Sequence, residues 1–282
     1  MKKATKIWLI TAAALILAGG ILFCGVMTGL GWDFTKLSTS KYETREYDIT
    51  QEFDDILILT DTADIVFLPS QEQECRVVCY EQPDYSHTVA VKDGILWVEL
   101  TDTQAWHQSI GIHLDSPKIT VYLPAGAYGA LTVKTDTGDA SIPKEFQFES
   151  VDISLSTGDI TLQGVSVGAL DLTVSTGDVI LTDVTCQDLR TSGNTGDLTL
   201  THVIASGMFS IRRTTGDVTL EACDAAEISI KTNTGDVRGS LLTDKEFYVK
   251  TDTGDREYPH MTTGGKCEII TTTGDVKVEI QP

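Results

Sequence analysis

The sequence predicts an all-β fold, a parallel, β-helix-like β-solenoid of about nine rungs of 19–20 residues, preceded by one N-terminal transmembrane helix. Three observations predict it. The triplet Thr-Gly-Asp recurs eight times at near-constant spacing, apolar residues fall in columns of strand parity around each triplet, and an uncharged run, Ile7 to Gly31, opens the chain.

The apolar run comes first. A helix needs about 20 apolar residues to cross roughly 30 Å of hydrocarbon, and this run is long enough. Lys2, Lys3 and Lys6 precede it and Trp32 follows it, so the positive-inside rule keeps the N-terminus in the cytoplasm and sends the rest of the chain outside. A cleaved signal peptide is the competing reading, although the run exceeds the roughly 7–15 residues of an ordinary signal core. Phe23 precedes Cys24 where a lipoprotein cleavage site would need a small residue, so Cys24 reads as an apolar helix residue. The expected organisation is a cytoplasmic tail at 1–6, the transmembrane helix at 7–31, a linker at 32–44 and an extracytoplasmic β-strand-repeat domain at 45–282.

All 41 acidic residues follow the apolar run and three of the 21 basic ones precede it, which leaves 18 basic against 41 acidic, a net charge of −23. Such a surface disfavours nucleic acid and anionic lipid headgroups and favours cationic partners or metal ions.

The repeat sets the architecture. Its glycines are Gly138, Gly158, Gly177, Gly196, Gly216, Gly235, Gly254 and Gly274. Seven residues before them stand Leu131, Val151, Leu170, Leu189, Phe209, Ile228, Phe247 and Cys267, and five before them Val133, Ile153, Leu172, Thr191, Ile211, Ile230, Val249 and Ile269. Two and four residues after come pairs such as Ile160 and Leu162, Val179 and Leu181, or Val276 and Val278, and a further column at plus seven holds Val165, Val184, Val203, Cys223, Leu242 and Met261. Alternation of this kind is that of a strand. One unit cannot bury its apolar face alone, whereas units stacked about 4.8 Å apart share a continuous interior.

The turn accounts for its own motif. Glycine admits a positive φ, and aspartate bonds to nearby backbone, here expected within its own turn. A degenerate copy lies at Asp61-Thr62-Ala63-Asp64, with Ala63 in the glycine position and Ile56, Ile58, Ile65 and Phe67 in the columns. Between residues 70 and 125 the period is lost, and this stretch is expected to be an irregular insertion or cap of hairpins over the open edge.

Alternating strands, the segment ITVYLPAG at 119–126 and the serial STGDI and STGDV turns resemble a bacterial putative adhesin family with β-strand repeats, domain of unknown function 4097. The resemblance covers roughly residues 45–280 and implies a β-strand-repeat domain of the cell envelope, held behind a membrane anchor. Ala63 for glycine and Gly265 for aspartate depart from the pattern.

Stacked turns would line up Asp139, Asp159, Asp178, Asp197, Asp217, Asp236, Asp255 and Asp275. Neighbouring charges about 4.8 Å apart repel by roughly 1 kcal/mol in water. Solvated, backbone-bonded carboxylates are the first reading; Ca²⁺ bridging Asp159, Asp178, Asp197, Asp217 and Asp236 is the second, since Ca²⁺ takes six to eight oxygen ligands. His87, His107, His113, His202 and His260 are scattered and read as solvent-exposed. Arg190, Arg212, Arg213 and Lys231 on the upstream strands offset the acidic surface or form part of a binding face. Cys75 and Cys79 are too far apart along one strand to bridge without strain, and Cys186, Cys223 and Cys267 occupy packing positions.

No catalytic constellation is expected, because a glycan-active β-helix enzyme needs clustered carboxylates at a break in the repeat. The sequence therefore reads as a membrane-anchored, adhesin-like binding or envelope-interaction module with partners among envelope proteins or cell-surface polymers. The alternatives are a structural or envelope-stress-associated partner of membrane proteins, and a glycan-active enzyme.

Overall fold

The structure, a computed structural model, describes residues 3–33, 42–71, 74–83, 85–102, 116–143, 146–260 and 263–281. His107, His113, Met261 and most of the 32–44 linker lie outside the described residues. The apolar helix and the β-strands belong to two separate compact units.

Helix α1 (Lys3–Gly29) contains Trp8–Gly29, a segment long and apolar enough to cross a membrane, a test that a signal sequence also passes. Trp8, Leu15, Ile21 and Phe23 lie exposed around it, as suits a helix apolar on all sides.

The β unit begins with β1 (Glu43–Ile49), then β2 (Asp55–Leu59) and β3 (Asp64–Pro69) on either side of Ala63. The chain next forms β4 (Cys75–Glu81), the antiparallel hairpin β5 (Tyr85–Lys92) and β6 (Ile95–Asp102), and β7 (Lys118–Leu123). These strands build one end of the stack: β6 pairs parallel with β2, β7 parallel with β3, and β4 antiparallel with both β7 and β1. The described strands of the 70–125 segment, β4 to β7, therefore form a cap laid beyond the Ala63 level rather than between it and the next.

The repeats proper follow. An upstream strand leads into each Thr-Gly-Asp turn and a downstream strand leaves it: β8 (Ala127–Thr137) and β9 (Ala140–Ile142), β10 (Gln147–Thr157) and β11 (Ile160–Gln163), β12 (Ser166–Thr176) and β13 (Val179–Thr182), β14 (Thr185–Thr195) and β15 (Leu198–Thr201). Strand β16 (Ile204–Thr215) leads into Gly216, and β17 (Val218–Thr234) runs unbroken from there to the Gly235 turn. Upstream strands pair in parallel with upstream strands, Val151 opposite Leu131 and Leu170, Ile153 opposite Val133 and Leu172. Downstream strands pair likewise, Ile160 opposite Ala140 and Val179. The predicted columns are thus the core: Leu131, Val133, Ile153, Leu172, Leu181, Leu200, Ile211 and Ile230 are at most 1% exposed. Each such side chain contributes about 1.5–3 kcal/mol by leaving water.

Past Gly235 the order in space departs from the order in sequence. Strand β17 pairs with β21 (Gly265–Thr273) and β18 (Val237–Leu241) with β22 (Val276–Ile280), so the Gly274 level lies directly on the Gly235 level. The intervening β19 (Lys245–Thr253) and β20 (Arg256–Glu257) pair with β21 and β22 from the far side and end the stack. Seven levels, marked by Ala63, Gly138, Gly158, Gly177, Gly196, Gly216 and Gly235, stack in chain order where about nine were expected; the last two are exchanged.

The reason is apolar content. Val276 and Val278 supply two buried side chains to an interior level, whereas the same positions after Gly254 hold exposed Arg256 and half-buried Tyr258. A level that cannot fill both of its faces is stable only at the end. There Tyr258 packs on Phe247, ring centroids 5.8 Å apart, and covers the terminal rung. The returning chain squeezes through at the off-register glycines: a Cβ on Gly264 would lie 1.8 Å from the carbonyl oxygen of Asp244, and one on Gly265 1.8 Å from that of Ala226.

One column assignment changes. Leu242 is 43% exposed, and Leu241 sits opposite Cys223 instead, because the pairing shifts register between Leu220 and Cys223.

Candidate functional site

The turn edge is built by two interlevel ladders. Every turn glycine but Gly254, on the last level, donates its N–H to the threonine carbonyl of the next level, as from Gly158 to Thr176 (3.0 Å) and Gly177 to Thr195 (2.9 Å). Each turn aspartate donates its N–H the other way, to the Oδ1 of the preceding level's aspartate. The file runs Asp139 to Asp64, Asp159 to Asp139, Asp178 to Asp159, Asp197 to Asp178, Asp217 to Asp197, Asp236 to Asp217, Asp275 to Asp236 and Asp255 to Asp275, at 2.7–3.1 Å. The carboxylates therefore serve the neighbouring turn, not their own as expected. A charge-assisted bond of this kind offsets the repulsion between levels. The exchanged order at the end is written into the same file, since Asp236 accepts from Asp275 and not from Asp255.

Glycine is required at these turns on two counts. Gly177 has φ +145°, and a Cβ on it would lie 2.0 Å from the carbonyl oxygen of Gly158. Ala63 occupies the equivalent place without a positive φ, at the level that adjoins the cap.

Asp159, Asp178 and Asp197 are exposed, and Asp217 and Asp236 half-buried. One file of acids thus faces outward along the turn edge, with the Oδ1 of each residue from Asp64 to Asp275 engaged by the next level. The single group of three metal-ligating side chains gathered within 4.8 Å among the described residues lies elsewhere, at Cys79, Glu81 and His87 in the cap.

Behind the file lies a buried cation. Arg190, Arg212 and Lys231 are exposed as expected, but Arg213 points inward and is 4% exposed. Its parity position, three residues before Gly216, is an interior one, and its neighbour across the ladder is Gly193. The guanidinium fills the space Gly193 leaves; a Cβ there would lie 1.9 Å from Nη1. Burial pushes the Arg213 pKa down, while Asp178 and Asp197 push it back up. A cleft of about 210 Å³ opens beside it, lined in part by Ser192, Gly193, Asn194 and Arg212.

The cap holds the polar cluster that sequence reasoning missed. His87, expected at the surface, is 4% exposed, and Glu81 and Thr60 are 1% and 7% exposed. Glu81 Oε2 accepts from the His87 backbone N–H (2.8 Å) and lies 2.7 Å from His87 Nδ1. The other ring nitrogen, Nε2, is 2.8 Å from Thr60 Oγ1. Arg45 Nη1 stands 3.5 Å from Glu81 Oε1. A signal was present: Cys75, Val77, Cys79 and Glu81 share one parity, so an acid continues a buried apolar column. His202 and His260 are exposed, as expected.

A family model described as Toastrack DUF4097 matches residues 53–208 and 181–281, nearly the whole β unit. The chain belongs to the Toastrack DUF4097 family. Among curated proteins none matches it. Solved structures similar to this Toastrack chain include a "putative lipid binding protein" from Parabacteroides distasonis, 14% identical, with a TM-score of 0.54, covering 87% of this chain and 98% of that one. A "putative adhesin" from Bacteroides fragilis is 16% identical, with a TM-score of 0.40, over 86% and 99% of the two chains. Another from Parabacteroides merdae is 11% identical, with a TM-score of 0.43, over 87% and 98%. At these identities the likeness concerns the fold, and the first of the three carries it. The buried thiols of the Toastrack unit, Cys75, Cys79, Cys186, Cys223 and Cys267, are all free.

Proposed function

We propose that this chain is a membrane-anchored extracytoplasmic module that acts by binding, not catalysis, and offers the acidic edge of its solenoid to envelope proteins or cell-surface polymers. The observation that carries this reading is the file of aspartates from Asp64 to Asp255, held in register by interlevel hydrogen bonds. A rigid row of like charges at the strand spacing matches an extended partner that carries cationic groups along its length, and its attraction is steered by the net charge of the exported part. The basic flank of the apolar helix supports an outside location for the β unit.

Two measurements test it. Protease added to intact protoplasts should degrade the β unit, and degradation only after lysis would contradict the orientation. Protein captured from cross-linked envelopes should be lost in a variant carrying Asp159→Asn, Asp178→Asn and Asp197→Asn, which keeps an acceptor oxygen at every turn. Capture that is unchanged in this variant and insensitive to salt would remove the acidic edge as the contact surface.

A further inference from the structure

The structure assigns a site for a divalent metal ion of the zinc class to Cys79, Glu81 and His87 in the cap of the solenoid. Strand β4 places Cys79 and Glu81 two residues apart, hence on one face, and the chain returns in β5 to bring His87 over them. The sulfur, a carboxylate oxygen and a ring nitrogen lie within 4.8 Å of one another, and all three residues are at most 4% exposed.

The donor set selects the ion. A thiolate, an imidazole and a carboxylate suit Zn²⁺ and its first-row neighbours, whereas Ca²⁺ and Mg²⁺ take oxygen ligands. Tetrahedral zinc bonds of roughly 2.0–2.3 Å put ligand atoms about 3.3–3.6 Å apart. The ligand atoms, all within 4.8 Å, are close to that spacing, and the 2.7 Å contact between His87 Nδ1 and Glu81 Oε2 has to open by less than an ångström.

The surroundings fit such an ion. Thr60 Oγ1 holds Nε2 of the ring, the outer hydrogen bond that fixes a ligating histidine and leaves Nδ1 for the metal. Glu81 Oε1 is buried and accepts no hydrogen bond from the described residues, with Arg45 Nη1 at 3.5 Å as a counter-charge. A thiolate and a carboxylate with a neutral imidazole carry two negative charges, which a divalent ion neutralises, and the unengaged Glu81 Oε1 can complete four-coordination beside Oε2. Tyr47 adds a bond from its hydroxyl to the His87 carbonyl, fixing the backbone from the other side. Ion binding at this point ties β4 to the start of β5 and so closes the end of the stack over the Ala63 level.

The test uses the full chain in detergent, reduced and stripped of metal, with Zn²⁺ and Co²⁺ as probes. One Zn²⁺ per chain is expected by calorimetry, and Co²⁺ should show the thiolate charge-transfer absorption of a tetrahedral site. Cys79→Ser and His87→Gln should abolish stoichiometric binding, Thr60→Val should weaken it about 10–100-fold, and Cys75→Ser, altering a buried thiol on the same strand, should leave it unchanged. Absence of a thiolate band in the unaltered protein would overturn the proposal even if a variant failed to fold. So would one-to-one binding that survives both ligand substitutions, since the aspartate file would then be the site.

Discussion

Gly193 and Arg213 stand opposite each other on adjacent levels, and the guanidinium of one occupies the side-chain space that the other lacks. The pair explains a glycine that no turn demands and a charge at an interior position. It also makes a quantitative expectation. Gly193→Ala should cost about 1–3 kcal/mol, as overpacking does, because its Cβ would meet Arg213 Nη1 at 1.9 Å and the Val174 carbonyl oxygen at 2.8 Å. Arg213→Met should stabilise the fold or leave it unchanged, since burial disfavours the charge more than Asp178 and Asp197 favour it. In the double variant the two effects should couple by about 0.5–3 kcal/mol, as urea unfolding of all four proteins would measure.

Glycine positions divide by what lies above them. Gly177→Ala should destabilise by about 3–5 kcal/mol, combining a forbidden φ with a backbone clash. Gly94, in the β5–β6 hairpin, has φ +77° and open space around it, so Gly94→Ala should cost only about 1–2 kcal/mol. Equal losses in melting would show that the stacked levels do not press on the turn.

The aspartate file predicts that shape matters more than charge. Asp178→Asn retains an acceptor for the Asp197 N–H and removes repulsion, so stability should hold or rise; Asp178→Ala should cost about 1 kcal/mol. Added salt should stabilise the unaltered protein by screening the file, and a melting temperature that fell with moderate salt would contradict this.

Burial pushes the thiols of Cys75, Cys186 and Cys267 up to about 12 from an ordinary value of 9.0. A group whose folded pKa is raised contributes stability that is complete below the unfolded value and lost as pH climbs through the folded one. Stability should therefore fall between about pH 9 and pH 12, and Cys186→Ala should flatten that slope. These buried thiols should also resist alkylation near neutral pH, where the thiol form persists, in contrast to the exposed Cys24; their rapid modification would show the columns to be open.

Much of this was legible in the residues. The Thr-Gly-Asp spacing and the parity of Leu131, Val133, Ile160 and Leu162 specify stacked strands, because strand period and level spacing follow from backbone geometry alone. The exchange of the last two levels was legible only in part. Arg256 and Tyr258 break the downstream column and Gly264–Gly265 leave the register, yet which level ends the stack depends on burial at both faces, a three-dimensional property. His87 was misread because its partners, Thr60 and Tyr47, come from segments distant in sequence. The interlevel role of Asp159 or Asp178 was hidden for the same reason, since a local turn and a neighbouring level satisfy the same carboxylate.

The stacking order itself is open to direct measurement by disulfide trapping at three exposed turn residues, Asn233, Thr272 and Asp252. Same-column residues on adjacent levels lie about 4.8 Å apart, within the 4.4–6.8 Å that a disulfide spans, and two levels exceed it. The pairs Asn233→Cys with Thr272→Cys, and Thr272→Cys with Asp252→Cys, should cross-link under mild oxidation, and Asn233→Cys with Asp252→Cys should not. Efficient bridging of the 233–252 pair with none between 233 and 272 would contradict the stack described above.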